Sequence, residues 1–143
     1  TALSITANHQ PDTVYAAKFS LPFCVALALI KGSCGLTDFT PETLADPDIR
    51  QLMSVVSLIL DAGLDAVHPA RWPAEIEIKT NSGLSYCGQT DFPRGDPENP
   101  LSAGDLLQKF YDLAAGPWGE QKAEMLGKTV LDLEHVENLA ALF

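Results

Sequence analysis

The sequence predicts an α+β fold: a small domain with antiparallel strands packed on helices, followed by C-terminal helices that belong to an all-α bundle. Three patterns carry this reading. Residues 21–30, Leu-Pro-Phe-Cys-Val-Ala-Leu-Ala-Leu-Ile, are apolar on nearly every helical face and follow a serine directly, as a buried helix begins. Ile76 and Ile78 alternate with Glu75, Glu77 and Lys79 ahead of an Asn81-Ser82-Gly83 turn, the mark of a hairpin. Beyond residue 101 the apolar period becomes helical, with Leu106, Phe110, Leu113 and Ala114 on one face.

In chain order, Leu3, Ile5 and Ala7 alternate with Ser4 and Thr6, which predicts a short half-buried strand, broken by Asn-His-Gln-Pro-Asp at residues 8–12. Asp12 or Thr13 starts a turn or two of helix. Pro22 has no N–H to donate and is tolerated only near a helix start, so the helix restarts at Ser20 to Pro22, runs to Lys31 and stops at Gly32. As the most apolar element it is expected to be the central buried one. Thr40-Pro41 and Asp46-Pro47 each pair a capping residue with proline at the first helical position, giving two further starts. After the second, Ile49, Leu52, Met53, Val56 and Ile59 or Leu60 form a core-facing stripe, and residues 58–61 leave the helix for a strand.

The hairpin follows, returning over residues 84–90. Phe-Pro-Arg-Gly-Asp-Pro-Glu-Asn-Pro at residues 92–100 continues neither strand nor helix, so a boundary is placed there, dividing the chain into residues 1–91 and 92–143. Ser102 with Asp105 makes a capping box for a helix ending at Gly116-Pro117, and another helix spans residues 120–128. The apolar residues that follow, Val130, Leu131, Leu133, Val136, Leu139, Ala140, Leu142 and Phe143, need a partner to cover them.

A chain of 143 residues, 46% hydrophobic, can bury one modest core. Its longest apolar run is half the ~20 residues that cross a bilayer. Nine Lys+Arg against nineteen Asp+Glu give a net charge of -10, which repels phosphate backbones and anionic lipid and argues against nucleic-acid and membrane partners. The same field repels a polycarboxylate, so a site for one must be built from local cations, with Lys18, Arg71 and Arg94 as candidates. Cys24, Cys34 and Cys87 form no C-x-x-C pair and are odd in number, which reads as reduced thiols of a cytoplasmic protein. His9, His68 and His135 have no partners at helical ligand spacing, so no metal site is expected.

The segment Lys18-Phe19-Ser20 is the strongest functional candidate. A cation and a hydroxyl stand just before a helix whose first-turn amides carry partial positive charge, the sequence form of a carboxylate site. The plainer reading is a solvated lysine beside an ordinary cap.

The stretch Ala17-Lys18-Phe19-Ser20-Leu21-Pro22-Phe23-Cys24-Val25-Ala26 resembles the signature segment of the 2-methylcitrate dehydratase and cis-aconitate decarboxylase family, MmgE/PrpD. Phe92-Pro93-Arg94-Gly95-Asp96-Pro97-Glu98-Asn99-Pro100-Leu101-Ser102, followed by Lys109-Phe110, resembles the family's passage into its last helices. The resemblance implies the C-terminal portion of a longer, generally dimeric enzyme, with which a chain beginning at Thr1 agrees. Residues 1–91 would be the lid, and residues 92–143 would return to a large helical domain built with a missing N-terminal half. The reactions it implies are dehydration, decarboxylation or epimerisation of small di- and tricarboxylates without a redox cofactor, each beginning beside a carboxyl group. The acid-base residues would lie before Thr1, so this chain alone is expected to be inactive.

Lys18, Phe19 and Ser20 carry over as substrate-facing residues, Lys18 to bind carboxylate and Ser20 to cap and hydrogen-bond. Arg94 is either a second cation at the domain junction or a structural arginine tying down the crossover. The resemblance favours a 2-methylcitrate dehydratase-like lyase, since decarboxylases differ around Lys18-Phe19 and carry a tyrosine near the position of Thr6-Ala7-Asn8. The alternatives are an epimerase of an imino- or amino-dicarboxylate and a non-catalytic binding or dimerisation module.

Overall fold

The opening segment is a helix and not the expected strand. In the computed structural model, which describes residues 2–138 and 140, α1 spans Ala2–Thr6. Leu3 and Thr6, three apart, are its half-buried positions, while Ile5 is 64% exposed. An alternation over five residues fits either period, and burial of i and i+3 decided for the helix.

The chain divides into two compact units, residues 1–61 and 62–143. In the first, each later helix start has a side chain replacing a missing intrahelical acceptor. Thr13 accepts from the Ala16 amide and opens α2, Val14–Lys18. Ser20 accepts from the Phe23 amide at 3.1 Å and opens α3, Leu21–Lys31, with Pro22 in its first turn and Gly32 at φ +76° ending it. Thr40 and Thr43 cap each other's amides at the start of α4, Pro41–Ala45. Asp46 accepts from Asp48 and Ile49 and opens α5, Pro47–Val55.

The core of this unit is Ala17 of α2, Phe23, Ala26 and Leu27 of α3, and Ile49 and Met53 of α5, with Phe39, Leu44 and Leu52 packed around it. Only one face of α3 is buried, since Leu21, Leu29 and Ile30 are 42%, 47% and 40% exposed. The expected strand over residues 58–61 is likewise absent; α5 ends at Val55 and residues 56–61 join no ladder. Arg50 fastens the unit by donating from Nε to the Leu44 carbonyl at 2.7 Å and from Nη2 to the Pro11 carbonyl at 2.8 Å.

The second unit opens with α6, Ala62–Ala66, and then the expected hairpin, β1, Ala74–Lys79, against β2, Ser85–Thr90. The strands are antiparallel, with Ala74 opposite Thr90 and Lys79 opposite Ser85. Gly83 at φ +86° makes the turn, where Thr80 donates to the Leu84 carbonyl. The proline-rich passage lies inside this unit, between the hairpin and α7, Ala103–Trp118.

Helix α7 runs through the expected stop at Gly116-Pro117 and ends at Trp118. Proline's fixed φ is itself helical, and within the final turn it forfeits a single amide bond. Helix α8, Glu120–Leu131, packs on α7 through Ala114, Ala123, Leu126 and Gly127. Of the expected apolar tail, Val130, Leu131 and Leu133 are exposed and Val136 is half-buried; Leu139, Leu142 and Phe143 lie outside the described residues.

Candidate functional site

Lys18 is the last residue of α2, where the carbonyl end of a helix favours a cation. Its side chain is exposed, and its Nζ stands 6.0 Å from the centroid of the Phe39 ring. Among the described residues no carboxylate lies within ion-pair distance of it. Phe39 is anchored from behind by Phe23 of the core, the two ring centroids 6.0 Å apart. Phe19, half exposed, ends α2 and pairs with the Tyr15 ring at 5.2 Å.

Ser20 is fully buried, and its hydroxyl is used twice. It accepts from the Phe23 amide and donates to the Asn8 carbonyl at 2.5 Å. The cap read from the sequence is present, and the hydroxyl's hydrogen-bond partner is the chain's own backbone. Cys24, one turn further along α3, donates to the Ala17 carbonyl, and its thiol is pushed up to about 12, chiefly by burial and then by the neighbouring Cys34. The raised value favours the protonated thiol at neutral pH.

The other two candidate cations belong to the second unit and have carboxylate partners. Arg71 reaches Asp91 at 3.4 Å across the base of the hairpin. Arg94 pairs with Asp105 at 2.7 Å, and Asp105 also accepts from the Ser102 hydroxyl and amide at the start of α7. Those bonds, first from Ser102 and then from Arg94, hold the Asp105 carboxyl below its usual range. Arg94 thus ties the crossover to a helix cap. Within the crossover, Gly95 at φ +108° donates to the Asn99 carbonyl and Asn99 donates to the Phe92 carbonyl.

Among the described residues no group of three or more His, Cys, Asp or Glu side chains could hold a metal ion, and no helix is long and apolar enough to cross a membrane. The cysteines are free thiols. Phe39 was not among the residues singled out from the sequence; a phenylalanine beside Asp38-Thr40 reads locally as core, and only folding brings it to Lys18.

Residues 1–135 match the MmgE/PrpD C-terminal domain. The chain belongs to the MmgE/PrpD family. It is 27% identical over 139 residues to cis-aconitate decarboxylase of Mus musculus and 25% identical over 138 residues to cis-aconitate decarboxylase of Homo sapiens. Each alignment covers 92% of this chain and 27% of the relative, so this MmgE/PrpD chain spans about a quarter of the length of those relatives. Both segments that carry the resemblance, around Lys18 and around Arg94, fall inside the matched residues.

Proposed function

We propose that this chain is the C-terminal part of a cofactor-independent lyase acting on a small di- or tricarboxylate. The match of residues 1–135 to the family domain carries the reading, and Lys18 supplies its residue-level form. In a chain of net charge -10, Lys18 is an exposed cation with its Nζ 6.0 Å from the centroid of the Phe39 ring and no carboxylate partner among the described residues. That is what a carboxylate-binding group requires.

In a dehydration, a base removes a proton from the carbon beside a carboxyl group, a cation on that carboxylate spreads the developing charge, and the hydroxyl on the neighbouring carbon leaves as water. In a decarboxylation carbon dioxide leaves, its electron pair stays on the carbon, and that carbon takes up a proton. Lys18 provides the cation, while the acid-base groups come from the remainder of the protein. Loss of water from a 2-methylcitrate-like acid is the first reading, because Thr6-Ala7-Asn8 departs from the decarboxylase pattern. Decarboxylation of cis-aconitate is the second, favoured by the activity named for the matched relatives. An epimerase would use the same cation without losing a group.

The exposed Leu106, Leu113 and Trp118 of α7 and Met125, Val130 and Leu131 of α8 fit a role in a larger helical domain and a homodimer. The experiment is to supply the full-length protein with 2-methylcitrate and cis-aconitate separately, following the new double bond in one case and carbon dioxide in the other. Turnover of either supports a lyase. Inversion at the α-carbon with no group lost would make it an epimerase, and no reaction with any small polycarboxylate would leave a binding module.

A further inference from the structure

We propose that Phe39 is a positioning residue, an aromatic shelf that fixes the Lys18 ammonium while leaving its charge available to a substrate carboxylate. The inference rests on the reading of Lys18 as the carboxylate-binding group and assigns the means by which that group is held.

A lysine on a flexible four-carbon stem can be fixed by an acidic partner or by the face of a ring. The acidic partner neutralises it, and an arriving carboxylate must then compete with the resident one. The ring attracts the cation through its quadrupole, neutralises nothing, and leaves the outward donors of the ammonium free.

Lys18 has the second arrangement, with Nζ 6.0 Å from the Phe39 centroid and no acidic partner among the described residues. The shelf is held in place from three sides. The ring packs on fully buried Phe23. The Phe39 amide closes the 3-10 turn Leu36–Asp38 by donating to the Leu36 carbonyl. The adjoining Asp38 carbonyl accepts from the Thr43 hydroxyl at 2.6 Å, and Thr40 on the other side caps α4. A ring so bracketed returns Lys18 to one place between turnovers.

The test uses the full-length protein, with citrate as tricarboxylate probe in calorimetry. Phe39→Leu removes the ring and should weaken citrate binding about two- to five-fold, the range of an exposed cation-ring contact. Phe39→Tyr should bind like the parent. In a Lys18→Met background, Phe39→Leu should change nothing further, which a merely structural role for the ring would not produce. Equal losses in both backgrounds, or no loss from Phe39→Leu while Lys18→Met still weakens binding, would overturn the proposal and leave the reading of Lys18 standing. No loss from Lys18→Met, or no citrate binding at all, would overturn that underlying reading. Should Phe39→Leu fail to fold, the unmutated protein labelled at lysine 13Cε decides. The Lys18 ε-methylene, identified by its disappearance in Lys18→Met, should be displaced upfield by the ring, and a resonance among those of the other lysines would overturn the proposal.

Discussion

Lys18 and Ser20 are two residues apart in sequence and differ in what mutation should do. Lys18→Met, in the full-length enzyme, should weaken substrate binding by about 1.5–3 kcal/mol, the worth of a charge-assisted hydrogen bond, and leave turnover at saturation mostly intact. A collapse of turnover with unchanged affinity would place Lys18 in the chemical step. Ser20→Ala removes an N-cap from a fully buried position and takes the hydroxyl donor from the Asn8 carbonyl. It should cost about 1–2 kcal/mol of stability, read as a lower urea midpoint, with substrate affinity of the folded protein unchanged. A loss of affinity at full stability would show that the hydroxyl reaches substrate as well.

At the scale of elements, the helix pair α7 and α8 is limited by its closest approach. A Cβ on Gly127 would lie 2.8 Å from Tyr111 Cε1 and 3.0 Å from its hydroxyl oxygen, so the ring would have to swing away. Replacing a helical glycine gains about 1 kcal/mol of backbone propensity, while overpacking costs about 1–3 kcal/mol. Overpacking wins or draws, and Gly127→Ala should lower the thermal midpoint or leave it unmoved; a rise would show the ring moves at no cost. The start of α7 has a pH dependence of defined sign. Asp105 is held below its ordinary value of 3.8, so its contribution is full above that value and is lost as pH falls below it through the folded-state value. Asp105→Asn should therefore flatten the acid side of the stability profile and leave the profile near neutrality with a constant offset. An unchanged acid limb would mean that the ties to Ser102 and Arg94 are not kept in solution.

For the whole molecule, the chain's span of about a quarter of its matched relatives sets the expectation. Supplied alone with 2-methylcitrate or cis-aconitate, the 143-residue chain should give no turnover, because on the proposed reading the acid-base groups belong to the remainder of the protein. Adding the remainder of the protein in trans should restore activity to the extent that the exposed faces of α7 and α8 find their partner. Measurable turnover by the chain alone would refute this partition and put the general base among its own residues. Membership of the family was legible in the residues around Lys18 and Arg94, and the matched span agrees with them.

Helix starts at Ser20, Thr40, Asp46 and Ser102, the left-handed glycines at 32 and 83, and the hairpin that Gly83 turns were all determined by the sequence alone. Each depends on groups within a few residues of one another, so the physics is complete in the local sequence. Residues 2–6 were decided by burial, since five alternating residues satisfy both periods until packing chooses which of them to cover. The tie from Arg50 to the Pro11 carbonyl, 39 residues away, and the ring of Phe39 beside Lys18 were likewise tertiary decisions. Contacts between distant segments depend on how the helices close over one core, and no spacing along the chain records which exposed cation will come to rest on which ring.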